Sequence, residues 1–362
     1  MANAGASSSA ASGDPAMMRR YNQLSAWGLF GPALAGITLF LFLPFILSIV
    51  LSVTNQRFVS PNPTEFVGMA NYQRLLSVSV LTLEPLPAEA GVEPEFPRSR
   101  DVIRARPELK GYFEWFKVDL GGRRYVALAT DPVFMRSLLN NFYFSLLVVP
   151  LQCGIALGLA LLVNQRLGGT RVFRAIFFAP VVTSMAVIAV VWIFLYNPDI
   201  GLINRMLQWL SFGVLGHTDW LGDPDTAMTA ILIMSIWQGV GFQMVLFLAG
   251  LQGIPTALYE AASIDGASGW DKFRHVTLPG LRNTTAFVVI TTVISSFRLF
   301  TQVDVMTQGG PRDNATSTVI FHAIRVGFDS GDLGYASAIS VVFFLIVVAL
   351  TFGLRRALPP NT

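Results

Sequence analysis

The sequence predicts an all-α integral membrane protein with six transmembrane helices and an extracytoplasmic insertion between the first two spans. Three observations carry that prediction. The chain of 362 residues is 53% hydrophobic and only 13% charged, whereas soluble proteins carry about a quarter charged residues. The apolar residues gather in six long runs, each close to the roughly 20 residues that cross a bilayer as a helix. The basic residues of the short loops fall mostly on one side of those runs, which is the usual sign of membrane orientation.

The elements follow in chain order. Residues 1–26 read as a disordered cytoplasmic tail, because positions 1–18 are rich in Ala, Ser and Gly and carry only Asp14 as a charge. Arg19 and Arg20 come next, and then the apolar run 27–53. That run is nearly twice the roughly 7–15 residues of a cleavable signal core, so it reads as a retained first span. Residues 54–137 read as a soluble extracytoplasmic loop or insertion, with dense, balanced charge and with Pro61, Pro63, Pro85, Pro87, Pro94, Pro97 and Pro107. The core, 138–356, holds five further runs at 138–163, 172–196, 227–251, 284–303 and 335–354. Arg298 interrupts the fifth span near one end. Pro32, Pro44, Pro150 and Pro180 lie within spans and read as kinks.

With the N-terminus in the cytoplasm, the inner loops hold Arg19, Arg20, Arg166, Arg171, Arg174, Lys272, Arg274, Arg282, Arg355 and Arg356. The outer side holds only Arg205, Arg298, Arg312 and Arg325, leaving aside the long 54–137 loop. Long loops are largely exempt from the positive-inside rule. Both termini are therefore expected in the cytoplasm.

Several function classes are disfavoured. A net charge of +3, with no interleaved basic and aromatic patch, argues against nucleic acid. The single cysteine, Cys153, can form no intrachain disulfide, and no Cys/His cluster offers a metal site. No Asp, Glu, Lys or His lies in the middle of a span, which weakens a proton-coupled carrier but leaves sodium coupling through carbonyls open. His217, His275 and His322 are dispersed and read as ordinary surface residues. No His-Glu-x-x-His, Asp-x-Asp or Gly-x-Ser-x-Gly supports an enzyme. The chain also lacks a Gly-x-x-x-x-Gly-Lys-Ser/Thr phosphate loop. It cannot bind ATP in that mode, so ATP-derived energy has to arrive from another polypeptide.

The polarity left inside the spans is neutral. Span four carries Ser235, Trp237, Gln238, Gly239, Gly241 and Gln243; span five carries Thr291, Thr292, Ser295 and Ser296. Hydroxyls, amides and an aromatic face suit an uncharged polyhydroxylated substrate. The same groups also join helices to one another in lipid, and both readings stay open. Arg298 either snorkels to the headgroups or serves as a gate or pairing charge.

Between spans four and five, Pro255 opens a helix that Leu258 to Ile264 continue, and Asp265-Gly266 is a turn signal. A second short helix starts near Ala267 and stops before Pro279. Trp270, Phe273 and Val276 recur at i, i+3 and i+6 and make one apolar face. A helix packed back on its own spans and a helix docked on a partner both satisfy this pattern.

The same segment resembles the signature of the permease subunits of binding-protein-dependent ABC importers: Glu-Ala-Ala, three residues, Gly, nine residues, then hydrophobic-x-Leu-Pro. Here Glu260-Ala261-Ala262 is followed by Gly266, Val276, Leu278 and Pro279. Val276 stands where isoleucine is more usual, and Asn283 stands near where a further proline is common. Gly309-Gly310-Pro311, Asp332-Leu333-Gly334-Tyr335-Ala336, and Trp237-Gln238 through Gly250-Leu251-Gln252 resemble the carbohydrate-uptake branch of that family, typified by the larger maltose permease subunit. The similarity covers about 30–76 and 131–356; residues 77–130 have no counterpart in it.

The resemblance implies a type I ABC importer permease fold, forming half of a sugar translocation pathway in the bacterial inner membrane. It implies a second permease subunit, an ATP-binding cassette ATPase dimer and an extracytoplasmic sugar-binding protein as partners. The chain itself holds no cofactor, since ATP and Mg belong to the ATPase. The resemblance makes 256–279 a cytoplasmic coupling helix. Glu260, Ala261, Ala262, Asp265 and Gly266 become coupling residues, with Trp270 and Phe273 supplying the ridge. It places the substrate pathway on spans four and five, near Ser235, Gln238, Gly239, Thr292 and Ser296. A related importer for a polar solute such as a glycerol phosphate, and a solitary secondary carrier, are the alternatives.

Overall fold

The computed structural model describes residues 27, 30–86, 96–165, 169–214 and 217–358. The expected tail 1–26, with Arg19 and Arg20, and the loop residue Arg166 lie outside the described residues.

The first span is helix α1, Phe30–Ser52. Its backbone widens into a π-turn at Thr38–Phe42, which ends two residues before Pro44. The wider turn accommodates a residue that has no N–H to donate. Ser52 is the only buried residue of Leu43–Ser52, the part after that turn. An apolar surface left this open suits lipid rather than a protein core. Phe45 holds the helix against Phe344 of the last span, ring centroids 4.7 Å apart.

A small folded unit follows the first span. Helix α2, Ala70–Leu76, leads into strand β1, Val78–Leu83. Helix α3, Ser99–Ala105, precedes strands β2, Phe113–Leu120, and β3, Arg123–Ala129. The strands form an antiparallel sheet in the order β1-β3-β2. Gly121 and Gly122 join β2 to β3 with φ of +59° and +74°, which only glycine adopts readily and which a tight hairpin requires. Leu81, Leu83, Leu109, Val126 and Leu128 form a separate core under the sheet. The expectation of an all-α chain is thus corrected. Pro85, Pro97 and Pro107 fall in the β1-to-β2 connection, so they leave the strands' hydrogen bonds intact; Pro87 and Pro94 lie outside the described residues.

The long helix α4, Pro132–Asn164, starts six residues before the expected boundary at 138. Asp131 caps it, accepting a hydrogen bond from the Phe134 N–H at 2.9 Å, and Pro132 occupies the first turn. The run expected as one span at 172–196 is two helices, α5, Thr170–Val182, and α6, Met185–Leu195, bent by 101°. Thr183 and Ser184 between them are extended. Helix α7, Leu202–Leu210, is amphipathic and leaves Trp209 exposed. Helix α8, Pro224–Gln252, is the fourth run. A hairpin of α9, Thr256–Ile264, and α10, Gly269–Lys272, connects it to α11, Arg282–Phe297.

The fifth run is also broken. Helix α11 has 16 residues and stops at Arg298, and α12, Thr301–Met306, resumes after a gap. The freed carbonyls find partners: Leu299 O accepts from Thr318 Oγ1 at 2.7 Å and Phe297 O accepts from Asn141 Nδ2 at 3.4 Å. A break at membrane depth needs such compensation. Helix α13, Val319–Ile324, and the last helix, α14, Leu333–Ala357, complete the chain. Among the described residues, α1, α4, α8 and α14 have the length and composition to cross a membrane, and the bent α5–α6 pair makes a fifth.

Helices α4 and α8 are the centre of the bundle and run in the same direction. Their first halves share one cluster, with Phe144 and Val148 against Ala230, Ile231 and Met234. Their second halves share another, with Ala156 and Ala160 against Phe247 and Leu251. Close approach depends on small residues, as is usual in lipid. A Cβ on Gly239 would lie 2.0 Å from Gln152 Nε2.

A buried polar knot fastens α4, α13 and α14. Asp131 Oδ2 accepts from the Tyr335 hydroxyl at 2.6 Å and lies 2.8 Å from His322 Nε2. Arg74 lies over the Tyr335 ring at 3.9 Å and pairs with Asp332 at 3.1 Å. His322, expected on the surface, is mostly buried, its side chain 12% exposed. Burial alone would raise the Asp131 carboxyl, but hydrogen bonds from His322, Tyr335 and Phe134 hold it below its ordinary value. A lowered folded pKa stabilises the fold above the unfolded value of about 4 and loses that contribution as pH falls further. Asp131→Asn keeps the cap but removes the charge. It is expected to lower stability by about 1.5–3 kcal/mol at pH 7 and to flatten the acid limb below pH 4. Thermal unfolding against pH in detergent checks both.

Candidate functional site

Two features stand out: a projecting hairpin at the end of α8 and a buried polar seam between α4, α8 and α11.

The hairpin is locally specified at every joint. Helix α9 ends in a paired-bond stop, with Ala267 N–H to Ala262 O at 2.9 Å and Gly266 N–H to Ser263 O at 3.2 Å. Gly266 has φ of +77° and no neighbour within 4 Å of a built Cβ, so backbone conformation, not space, demands glycine. Ser268 and Asp271 then form a reciprocal capping box for α10. Hydrogen bonds from the Ser268 hydroxyl and N–H hold the exposed Asp271 carboxyl below its ordinary value. The Tyr259 and Thr277 hydroxyls meet at 3.0 Å and tie the two arms together.

Its base is fixed to the bundle. A Cβ on Gly280 would lie 2.8 Å from Ile254 Cδ1, and one on Gly250 would lie 2.5 Å from Thr284 Oγ1. Val276 and Tyr259 pack against the lower α4–α8 cluster. The apolar face expected from Trp270, Phe273 and Val276 is therefore divided: Val276 turns inward, Phe273 is half-buried, and Trp270 is 66% exposed. Trp270 and Phe273 stack with centroids 5.4 Å apart. Glu260, Ala261, Asp265 and Gly266 are exposed and Ala262 is half-buried. Ile264 is the residue that sequence reasoning missed. It is 87% exposed at the hairpin tip. Its place immediately before the Asp265-Gly266 turn was the signal, because a residue at such a tip has no core to enter.

The seam is a chain of neutral hydrogen bonds. Gln152 Nε2 donates to Gln243 Oε1 at 3.1 Å, and Gln243 Nε2 donates to Thr292 Oγ1 at 3.2 Å. Ser296 Oγ donates to Ser145 Oγ at 2.8 Å. The structure thus brings Thr292 and Ser296 into helix-joining contacts. It puts Gln238 half-buried beside Trp237, which is 47% exposed and 5.6 Å from the Trp192 ring. Gly239 lies against Gln152. Ser235 is buried and its hydroxyl has no hydrogen-bond partner in the structure. Gln152 and Ser145 were not singled out from sequence, because lone polar residues in the apolar run of α4 carry no periodic signal.

Interhelical hydrogen bonds in membranes average about 0.6 kcal/mol, with a maximum near 1.7. Thr292→Val is therefore expected to lower the unfolding midpoint in detergent only slightly. Gln243→Met, which breaks two bonds and strands Gln152, is expected to lower it about twice as much.

A broken-helix bundle with a rigidly built, outward-facing hairpin and a neutral polar interior is the framework of a membrane transport subunit. The chain belongs to the family described as the binding-protein-dependent transport system inner membrane component, which matches residues 153–362. It is accordingly an ABC transporter permease component, not an enzyme. It is 37% identical over 232 residues to the trehalose/maltose transport system permease protein MalF of Thermococcus litoralis, covering 64% of this chain and 77% of the relative. It is 36% identical over 233 residues to the sn-glycerol-3-phosphate transport system permease protein UgpA of Yersinia enterocolitica, covering 64% and 77%. A crystal structure of a bacterial ABC transporter involved in the import of the acidic polysaccharide alginate has a chain of the same fold. It matches with a TM-score of 0.67 at 17% identity over 95% of this chain and 98% of that one.

Proposed function

We propose that this chain forms half of the translocation pathway of an ATP-driven sugar importer and that the 256–279 hairpin is where the ATPase acts on it. The hairpin carries the reading. It exposes Ile264 and Trp270 on a frame fixed by a capping box and a left-handed glycine, and bulky apolar side chains held open on one hairpin form a patch that suits a protein contact. Glu260, Ala261, Ala262, Asp265 and Gly266 lie beside that patch and meet the ATPase subunit; Phe273 braces Trp270 from behind. A second permease subunit, an ATPase dimer that binds ATP and Mg, and an extracytoplasmic binding protein complete the assembly.

In this reading the chain crosses the inner membrane six times. The α5–α6 pair and the α11–α12 pair each count as one broken crossing, and both termini are cytoplasmic because basic residues favour that side. The sugar assignment follows the trehalose/maltose relative and the neutral interior. Ser235, Gln238 and Gly239 on α8 and Thr292 and Ser296 on α11 line or support the pathway, Ser235 with a hydroxyl still free to bind. The glycerol-phosphate relative supports a second reading, a phosphorylated polyol as cargo, for which Arg298 at the end of α11 offers a cation.

Reconstitution with the ATPase, the second permease and the binding protein tests the proposal. ATP-dependent uptake of a neutral disaccharide supports it, and selective uptake of sn-glycerol 3-phosphate selects the second reading. Uptake by this chain in vesicles that contain no ATPase would sink both.

A further inference from the structure

A cleft of about 1430 Å³ lies between α3, the sheet and the first turn of α4. Helices α4 and α8 run in parallel and the hairpin follows α8, so the cleft is at the opposite end of the bundle from the hairpin. Ordinary ligand pockets occupy about 300–1,000 Å³, and this one has room for several sugar rings. Arg98, Arg100, Arg104, Arg106, Lys110 and Arg136 line it. All six are exposed, and none forms a salt bridge with another of the described residues. The acids on the lining are Asp101, Glu114 and Asp313, and Glu114 is already paired with Lys117 at 2.9 Å. Tyr112 and Trp115, both half-buried, add aromatic surface to the same wall. The floor reaches Asp313 and Asn314, in the loop that follows Gly309-Gly310-Pro311.

We propose that this cleft binds an anionic oligosaccharide whose rings carry carboxylates. Guanidinium groups recognise carboxylates through paired hydrogen bonds. Rings on the same wall accept the apolar faces of pyranoses. A flat acidic protein surface would reach the rim arginines but not the recessed rings, so the concave shape favours the saccharide. The inference relies on the sugar reading for the class of ligand and on the cleft's own charge for the carboxylate.

The test uses the purified full-length chain in its permease complex and measures equilibrium binding of a galacturonate tetramer. The carboxyl-reduced neutral tetramer is the control. Wild type is expected to bind the acidic probe at least about tenfold more tightly than the neutral one and to weaken with added salt. Arg104→Gln/Arg106→Gln is expected to lose about tenfold in affinity for the acidic probe with an unchanged unfolding midpoint. Equal binding of the two probes, or unchanged affinity in the double variant, overturns the proposal. Docking of the binding protein that alone depends on Arg104 and Arg106 makes the cleft a protein seat and also overturns it. ATP-dependent uptake of the neutral disaccharide is scored separately, so failure of the import reading is distinguishable from failure of the cleft.

Discussion

Gly241→Val is expected to prevent accumulation of the folded chain in the membrane, whereas Gly158→Ala is expected to leave it unchanged or slightly more stable. A Cβ on Gly241 would lie 2.0 Å from the Phe177 carbonyl oxygen, 2.8 Å from its carbon and 3.2 Å from Phe178 Cα. All three are backbone atoms, so no side-chain rotation relieves the clash; α5 must leave α8. Overpacking ordinarily costs about 1–3 kcal/mol, and a backbone-to-backbone collision falls at or beyond the top of that range. Gly158 is also within a long helix, but its Cβ would meet nothing within 4 Å. Replacing a helical glycine by alanine under those conditions gains about 1 kcal/mol at most. Membrane abundance and unfolding midpoint in detergent report the outcome. A Gly241→Val protein at wild-type level and midpoint would show that α5 does not rest on α8 in the membrane.

Gly266→Pro is expected to abolish ATP-dependent uptake while leaving the bundle assembled. Proline fixes φ near −65°, and Gly266 stands at +77°. It also removes the N–H that binds Ser263 O. The local conflict amounts to about 3 kcal/mol or more, all of it in the hairpin tip. Ile264 and Trp270 would lose their fixed separation, and ATPase turnover would no longer respond to transport. Gly266→Ala, with strain but no lost bond, is expected to fall between. Wild-type uptake by the proline variant would remove the hairpin from the coupling mechanism; a collapsed unfolding midpoint would show instead that the hairpin holds the bundle together.

The sequence made some of this legible and hid the rest for physical reasons. The apolar runs were plain because lipid leaves no alternative to a continuous hydrophobic stretch. The hairpin was readable because Asp265-Gly266 is a local signal, written where it acts; the Ser268-x-x-Asp271 box that starts the second arm is equally local but emerged only with the structure. Breaks in two of the runs were only half readable: Arg298 and Pro180 marked an interruption and a kink beside them, but not the full break. Thr183-Ser184 is neutral and small, and Phe297-Arg298-Leu299 is compensated by Asn141 and Thr318, which are distant in sequence. The sheet was masked by prolines that belong to one connection, although Gly121-Gly122 between two alternating segments was a hairpin signal. The polar seam was half visible. Gln243, Thr292 and Ser296 stood out as polar in apolar runs, but only packing shows that Gln152 and Ser145 answer them. Asp131 and His322 are 191 positions apart, and no periodicity relates them.

The elbow between α5 and α6 sorts the outer surface of the subunit. At Thr183 and Ser184 the chain is extended, exposed and turned through 101°. An interrupted helix leaves peptide groups without an intrahelical partner, and acyl chains offer them none. If α5 and α6 make one crossing, that side of the molecule cannot be its greasy side. It must look onto water or onto another polypeptide, while α1, on the flank of α14, bears the hydrocarbon. A chain with one flank that tolerates oil and another that rejects it is, on its own, an unfinished wall.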